Sequence, residues 1–334
     1  MSLPPSFSGT LPGAPSGGQT DSPLVTLFAE TPAPQSNQQL VLSVDSLVDN
    51  VHFNADTPLD ALGYKCVAVN LSDMAAMGAT PLAMQCAWGD PDNDPSWHGP
   101  VLAAIAQLAE SMTVPVTFGQ LSTAQRQITI QIMGTVPHGQ ALTRAGARIG
   151  DQLWVSGTLG DAGAGLAMQQ GDLHANTAKD STYLLARLNR PTARLELGQA
   201  LRGIATAAID ISDGITGDAA HITEQSQVGL RLFAHRLPLS DALLRVVGRT
   251  RAQTLALSAG EDYELAFCAP ADQEARVRNA AHCCQTPVHC IGDVVEGDAL
   301  LLLDENAHPV VIPGAFDHFD ANNHDNDGCK ETES

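Results

Sequence analysis

Val69-Asn70-Leu71-Ser72-Asp73-Met74-Ala75-Ala76-Met77-Gly78 is the stretch on which the reading of this chain turns. It continues an apolar pattern that begins at Leu59, and the spacing predicts a helix over 59–77. Gly78 stands where a left-handed cap is wanted, and Pro81 follows it. Asn70 and Asp73 are three apart and share one face, so an otherwise apolar helix carries a carboxylate. Upstream, the β-prone run 39–44 ends in Asp45, which places a second carboxylate at the end of an expected strand. Downstream, 82–87, 128–136 and 152–156 read as strands, with a helical pattern over 96–112. The turn-rich segment 140–150 makes a domain boundary near residue 138. Further on, the short apolar run 207–211 leads into Asp210-Ile211-Ser212-Asp213-Gly214, and a helix is expected from about Gly217. The unit recurs in kind at 260–267, where Glu261 and Asp262 precede a strand-like 263–267. Alternating strands and helices argue for an α/β (α+β) protein, with a mixed-sheet domain over 25–138 and an α/β domain over 139–321. Segments 1–24 and 322–334 hold too few apolar residues to offset their ordering entropy and are expected to be disordered.

Composition narrows the partners. Aspartate and glutamate number 37 against 17 lysines plus arginines, a formal charge of -20 that repels nucleic acid and anionic membranes. A small phosphate ester remains possible, because metal ions or a few local arginines overcome the mean field at short range. The seven cysteines are odd in number and widely spread, and no secretory core precedes them, which reads as reduced thiols in a cytoplasmic protein. Cys283, Cys284 and Cys290 with His282 and His289 lack paired C-x-x-C spacing, so packing explains them better than a metal. No apolar run reaches the ~18 residues of a membrane span.

Asp45, Asp73, Asp210 and Asp213 could converge on Mg2+, which takes oxygen ligands and bridges substrate phosphates. Each alone reads more readily as a turn or helix-cap aspartate. No P-loop, H-E-x-x-H or Rossmann fingerprint occurs, and the chain has only three lysines, Lys65, Lys179 and Lys330. The series Gly157, Gly160, Gly163, Gly165 could free backbone amides for phosphate, or permit close helix packing.

The opening stretch resembles the N-L-S-D-x-A-A-M-G signature of thiamine-monophosphate kinases, of the PurM-like superfamily. In the family's order stand Ser43-Val44-Asp45, Val51-His52-Phe53, Leu142-Thr143-Arg144-Ala145-Gly146-Ala147 and Gly150-Asp151. Then come Ile209-Asp210-Ile211-Ser212-Asp213-Gly214, Ala259-Gly260-Glu261-Asp262-Tyr263-Glu264-Leu265, Cys290-Ile291-Gly292 and Phe316-Asp317-His318-Phe319. The resemblance implies two PurM-like domains, pairing of the first across a homodimer, and ATP held with several Mg2+ ions. It implies transfer of the γ-phosphoryl group to thiamine monophosphate, giving thiamine diphosphate and ADP. Carried over by position, Asp45, Asp73, Asp210 and Asp213 are metal ligands with Ser43 a weaker one, and Asp45, Asp73 and Asp213 carry the catalysis. Arg144, Ser212 and Gly119 contact ATP; His52, Glu261 and Phe316 sit near thiamine monophosphate. Apart from the resemblance, His52, Phe316 and Arg144 read as interior, core and turn residues.

Three positions depart from the family. Its G-D-D motif has no counterpart in 22–30, its G-G-D-T-T-R aspartate is Gln120, and its threonine beside Asp45 is Val44. Fewer anionic or hydroxyl ligands should weaken Mg2+ and ATP binding. The rival expectation is therefore a catalytically inactive protein that binds thiamine phosphate; a PurM-like synthetase is a third.

Overall fold

An eleven-residue strand, β1 (Gln38–Val48), opens the described structure, a computed structural model that covers residues 37–311. The expectations for 1–24, 22–30, 322–334 and Phe316 fall outside those residues. After β1 come α1 (Leu59–Ala76), β2 (Thr80–Gly89), α2 (Pro95–Ser111), β3 (Val116–Leu121) and β4 (Gln127–Pro137). The strands form one sheet in the order β1-β4-β2-β3, in which only β2 and β3 run parallel. β3 was not anticipated, since its Gly119 and polar neighbours interrupt the apolar run.

Asp45 does not end its strand. Pairing with β4 continues to Val48 opposite Gln127, so Asp45 lies within the ladder, opposite Ile130. The polar pair Asp45 and Ser46 looks like a terminus in sequence, yet strand alternation accommodates it. Val41, Ser43, Asp45 and Leu47 take the inner face, whereas Leu40, Leu42 and Val44 are exposed on the outer one.

α1 ends with Met77 as C-cap and Gly78 at φ +63°, as its sequence requires. Its burial runs nearly all the way round and takes in Lys65, Asn70 and Ser72 as well as Leu62, Val67 and Met74. A helix with so little polar surface must be enclosed, and α2, the first sheet and α5 (Leu195–Ala200) enclose it. At Gly198 of α5 an added Cβ would stand 2.0 Å from the Ala75 carbonyl oxygen, so only glycine permits this approach. Truncating the fully buried Met74 to alanine would cost about 2–5 kcal/mol.

The second sheet is built from β5 (Asp151–Ser156), β6 (Ala207–Asp210), β7 (Gly229–Phe233), β8 (Leu265–Pro270), β9 (Val288–Val295) and β10 (Leu300–Leu303). Its order is β10-β7-β9-β5-β8-β6. Tyr263 is not part of β8; it has φ +49°, outside the range a strand allows. The helices are α3 (Asp161–Gln169), α4 (Ala178–Asn189), α5, α6 (Ile215–Ser226), α7 (Asp241–Ser258) and α8 (Glu274–Cys283). Alternation divides the sheet's side chains between two layers. Trp154, Ala208 and Phe267 join the core around α1, while Val155, Ile209 and Ala266 share a separate core with Ile215 of α6 and Leu257 of α7. The helix that carries Asp73 is thereby wedged between the two sheets.

Candidate active site

Five side chains from three elements meet where α1 passes from one sheet to the other. Ser43 and Asp45 point inward from β1 at Asp73; the Ser43 hydroxyl donates to the Asp73 carboxylate, and Asp45 shares a hydrogen bond with it. One residue earlier on α1, Ser72 Oγ donates to Asp210 Oδ2 at 2.8 Å, at the end of β6. Adjacent residues of one helix thus bind a carboxylate from each sheet. The arrangement concentrates negative charge. Burial pushes the Asp45 carboxyl well above its usual range, with the charges of Asp73 and then Asp210 adding to it. Burial and then Asp73 do the same to Asp210, against smaller opposing effects of the Ser72 hydroxyl and Arg144.

The turn after β6 is held from α6. Asp218 accepts from the backbone N–H groups of Ser212 and Asp213, each at 3.0 Å, and burial pushes its own carboxyl up to about 8. Asp213 stands near enough to act on the Tyr263 phenol, which burial pushes up with help from Glu261, Asp210, Asp45 and Asp213. Glu261 belongs to the same neighbourhood, because its backbone N–H donates to the Ser212 carbonyl at 2.8 Å. Its carboxylate pairs with the Lys65 ammonium from α1.

A cavity of about 370 Å³ opens onto this cluster, lined by Ser43, Asp73 and Asp210 together with Thr143, Arg144 and Gln225. Ser226 Oγ holds the Arg144 loop: it receives the N–H groups of Gly146 and Ala147, both at 3.1 Å, and donates to the Arg144 carbonyl at 2.9 Å. A second depression of about 450 Å³, between Thr223 and Leu300, gathers no basic side chain. Of the two, only the smaller brings carboxylates together with an arginine.

His52 is fixed by its own loop, where its Nδ1 accepts from the Val48 N–H at 3.2 Å. Gly119 lies on β3, at the opposite edge of the first sheet from β1, and does not line the cavity. Gln120 beside it donates its amide to Asn93 Oδ1 at 3.1 Å. Val44 faces away from Asp45, with 61% of its surface exposed, so its side chain removes no hydroxyl from the inner cluster. The glycine series serves packing: added Cβ atoms would lie 2.1 Å from Glu264 at Gly157, 2.6 Å from Ala256 at Gly160, 2.3 Å from Ala259 at Gly163 and 2.4 Å from Leu184 at Gly165. Sequence reading missed Lys65, Ser72, Asp218 and Ser226. Only Ser72 had a signal, its place beside Asp73.

The donors are all oxygen, anionic and mutually repelling, which suits a hard divalent cation such as Mg2+. Among the described residues no group of three or more His, Cys, Asp or Glu is arranged as a cage for a metal.

Two sheets joined by an acid-bearing helix, with the cleft between them, define a protein of the AIR synthase related class. The descriptions "AIR synthase related protein, N-terminal domain" and "C-terminal domain" match residues 24–136 and 148–303. The chain is 40% identical to the thiamine-monophosphate kinase of Escherichia coli strain K12 over 283 residues, 84% of this chain and 87% of that protein. It belongs to the thiamine-monophosphate kinase family. The crystal structure of thiamine-monophosphate kinase from Stenotrophomonas maltophilia K279a is similar at TM-score 0.75 and 38% identity, covering 80% of this chain and 86% of that one. AaThiL complexed with AMPPCP and TMP is similar at TM-score 0.75 and 29% identity, covering 86% and 90%.

Proposed function

We propose that this protein transfers the γ-phosphoryl group of ATP to thiamine monophosphate, producing thiamine diphosphate and ADP. The observation that carries the reading is one cavity lined by Ser43 of the first sheet, Asp73 of α1, Asp210 of the second sheet and Arg144, with Asp45 hydrogen-bonded to Asp73. The acceptor phosphate is already ionised, so the reaction needs alignment and charge compensation rather than a strong base. Asp45, Asp73, Asp210 and Asp213, with Ser43, would hold Mg2+. When bound, the ion compensates phosphate charge as the group is transferred. Arg144 and Ser212 would face the nucleotide, while His52 and Glu261 would flank the thiamine moiety. With domains taken as 25–138 and 139–321, the nucleotide would lie where the two sheets meet. No observation favours the inactive binding protein, since the inner cluster retains its carboxylates and Val44 lies on the other face of β1.

A homodimer forms part of this proposal. Leu40, Leu42 and Val44 make an exposed apolar row on an edge strand, as an interface between copies requires. No helix of the described residues is long and apolar enough to cross a membrane, and we place the enzyme in the cytoplasm with its nucleotide. A steady-state assay with ATP, Mg2+ and thiamine monophosphate tests the reading. Thiamine diphosphate is the expected product; none above a no-enzyme control at millimolar Mg2+ overturns it.

A further inference from the structure

Lys65 is one of three lysines in a chain of formal charge -20. It is only 6% exposed, and its ammonium lies against the Glu261 carboxylate. Burying an ammonium is costly unless a partner compensates it, so the sequence keeps this charge inside for a reason that packing alone does not supply.

The backbone around Glu261 is firmly held. Glu261 itself has φ +74° and Tyr263 φ +49°, both in the left-handed region that side chains disfavour. Asp262 between them accepts from the N–H of Gly160 at 2.8 Å and of Ala162 at 3.4 Å, at the start of α3. Glu264 is clamped by Arg187 Nη2 at 2.9 Å and Arg194 Nε at 2.6 Å. The head group of Glu261 is held differently. Its Oε2 is buried and meets the Lys65 ammonium, and no other hydrogen bond reaches that oxygen. A rigid arm therefore presents a carboxylate whose partner can be exchanged, next to the Ser212 carbonyl and the acidic turn.

We propose that Lys65 and Glu261 form an exchangeable ion pair that receives a zwitterionic acceptor, Lys65 taking its phosphate and Glu261 its cationic ring. The inference rests on the kinase reading above and adds a phosphate-selecting residue to it. Opening the pair costs one attraction and creates two, but only for a ligand that carries both charges. A ligand with the ring and no phosphate leaves the buried ammonium unpaired. Lys65 thus selects phosphorylated over unphosphorylated thiamine, and brings the acceptor phosphate to the acidic turn already partly neutralised.

Calorimetric titration of the full chain, in Mg2+, with thiamine monophosphate and separately with thiamine tests this. The wild type is expected to prefer the monophosphate. Lys65→Met should lower affinity for the monophosphate roughly tenfold or more, since a charge-assisted bond is lost, while thiamine binds at least as tightly as to the wild type, because no ammonium is left unpaired. Because Lys65→Met strands a buried carboxylate, the Lys65→Met/Glu261→Gln double variant, which removes both charges, is titrated beside it and should bind the two ligands alike. A single or double variant that keeps the wild-type preference, or a single variant that loses both ligands equally, overturns the proposal for Lys65. A wild type that binds neither ligand overturns the kinase reading itself.

Discussion

Two groups of acids, one around Glu264 and one around Asp73, are built on opposite principles. At Glu264 the carboxylate is fully compensated: Arg187 and Arg194 fork onto it, and Ser156 Oγ donates at 2.5 Å. At Asp45, Asp73 and Asp210 the close donors are the hydroxyls of Ser43 and Ser72, and burial first, then the Asp73 charge, pushes the Asp45 and Asp210 carboxyls upward. The first arrangement satisfies itself and serves the fold. The second leaves negative charge uncompensated in the folded protein, a state that costs stability and has value only when a cation or cationic complex binds.

The contrast predicts opposite responses to substitution. Arg194→Met should be the most damaging to the fold, because it strips a fully buried carboxylate of one cation; a loss of about 3–5 kcal/mol is expected in urea unfolding. Activity per folded molecule should be little changed. Asp73→Asn should do the reverse, lowering kcat by about 10²–10³-fold through lost electrostatic stabilisation. Its melting temperature should hold or rise, since the charge that raises both Asp45 and Asp210 is gone. A large drop in Asp73→Asn stability would erase the distinction between the two groups. Ser72→Ala should cost roughly tenfold in kcat at saturating ATP, the usual effect of freeing a ligand from its orienting partner.

The smallest effect concerns Asp262, which sits beside the compensated group without a side-chain cation bonded to its carboxyl. Burial pushes that carboxyl up to about 8. The folded state then holds a proton that the unfolded chain releases near the ordinary value, so stability falls as pH rises from about 4 to 8 and levels off above. Asp262→Asn removes the titration, and its unfolding midpoint should decline less over that window than the wild type's.

How far this could be read from the chain follows the range of the contacts involved. The α1 stretch announced its helix, its cap and its acid because those signals are local. The strand around Asp45 was shortened in sequence because alternation with a polar inner face resembles a strand end until β4 is known to pair alongside. Ser72 with Asp210 and Arg194 with Glu264 join residues distant in sequence, and no spacing rule brings them together. Val44 counted as a lost ligand until the pleat placed it on the other side of the sheet. Family resemblance supplied the roles of Glu261 and His52; it was silent on Lys65, which a helix drawn as apolar had hidden.

In the enzyme proposed above, β1 would give its inner face to the acidic cluster and its outer face to pairing between copies, and its alignment with β4 keeps the two apart. A slip of one residue would turn the leucine row toward the catalytic cleft and carry Ser43 and Asp45 to the opposite surface. Inserting a single residue within this strand should therefore abolish assembly and turnover together, though every side chain that serves either would still be present.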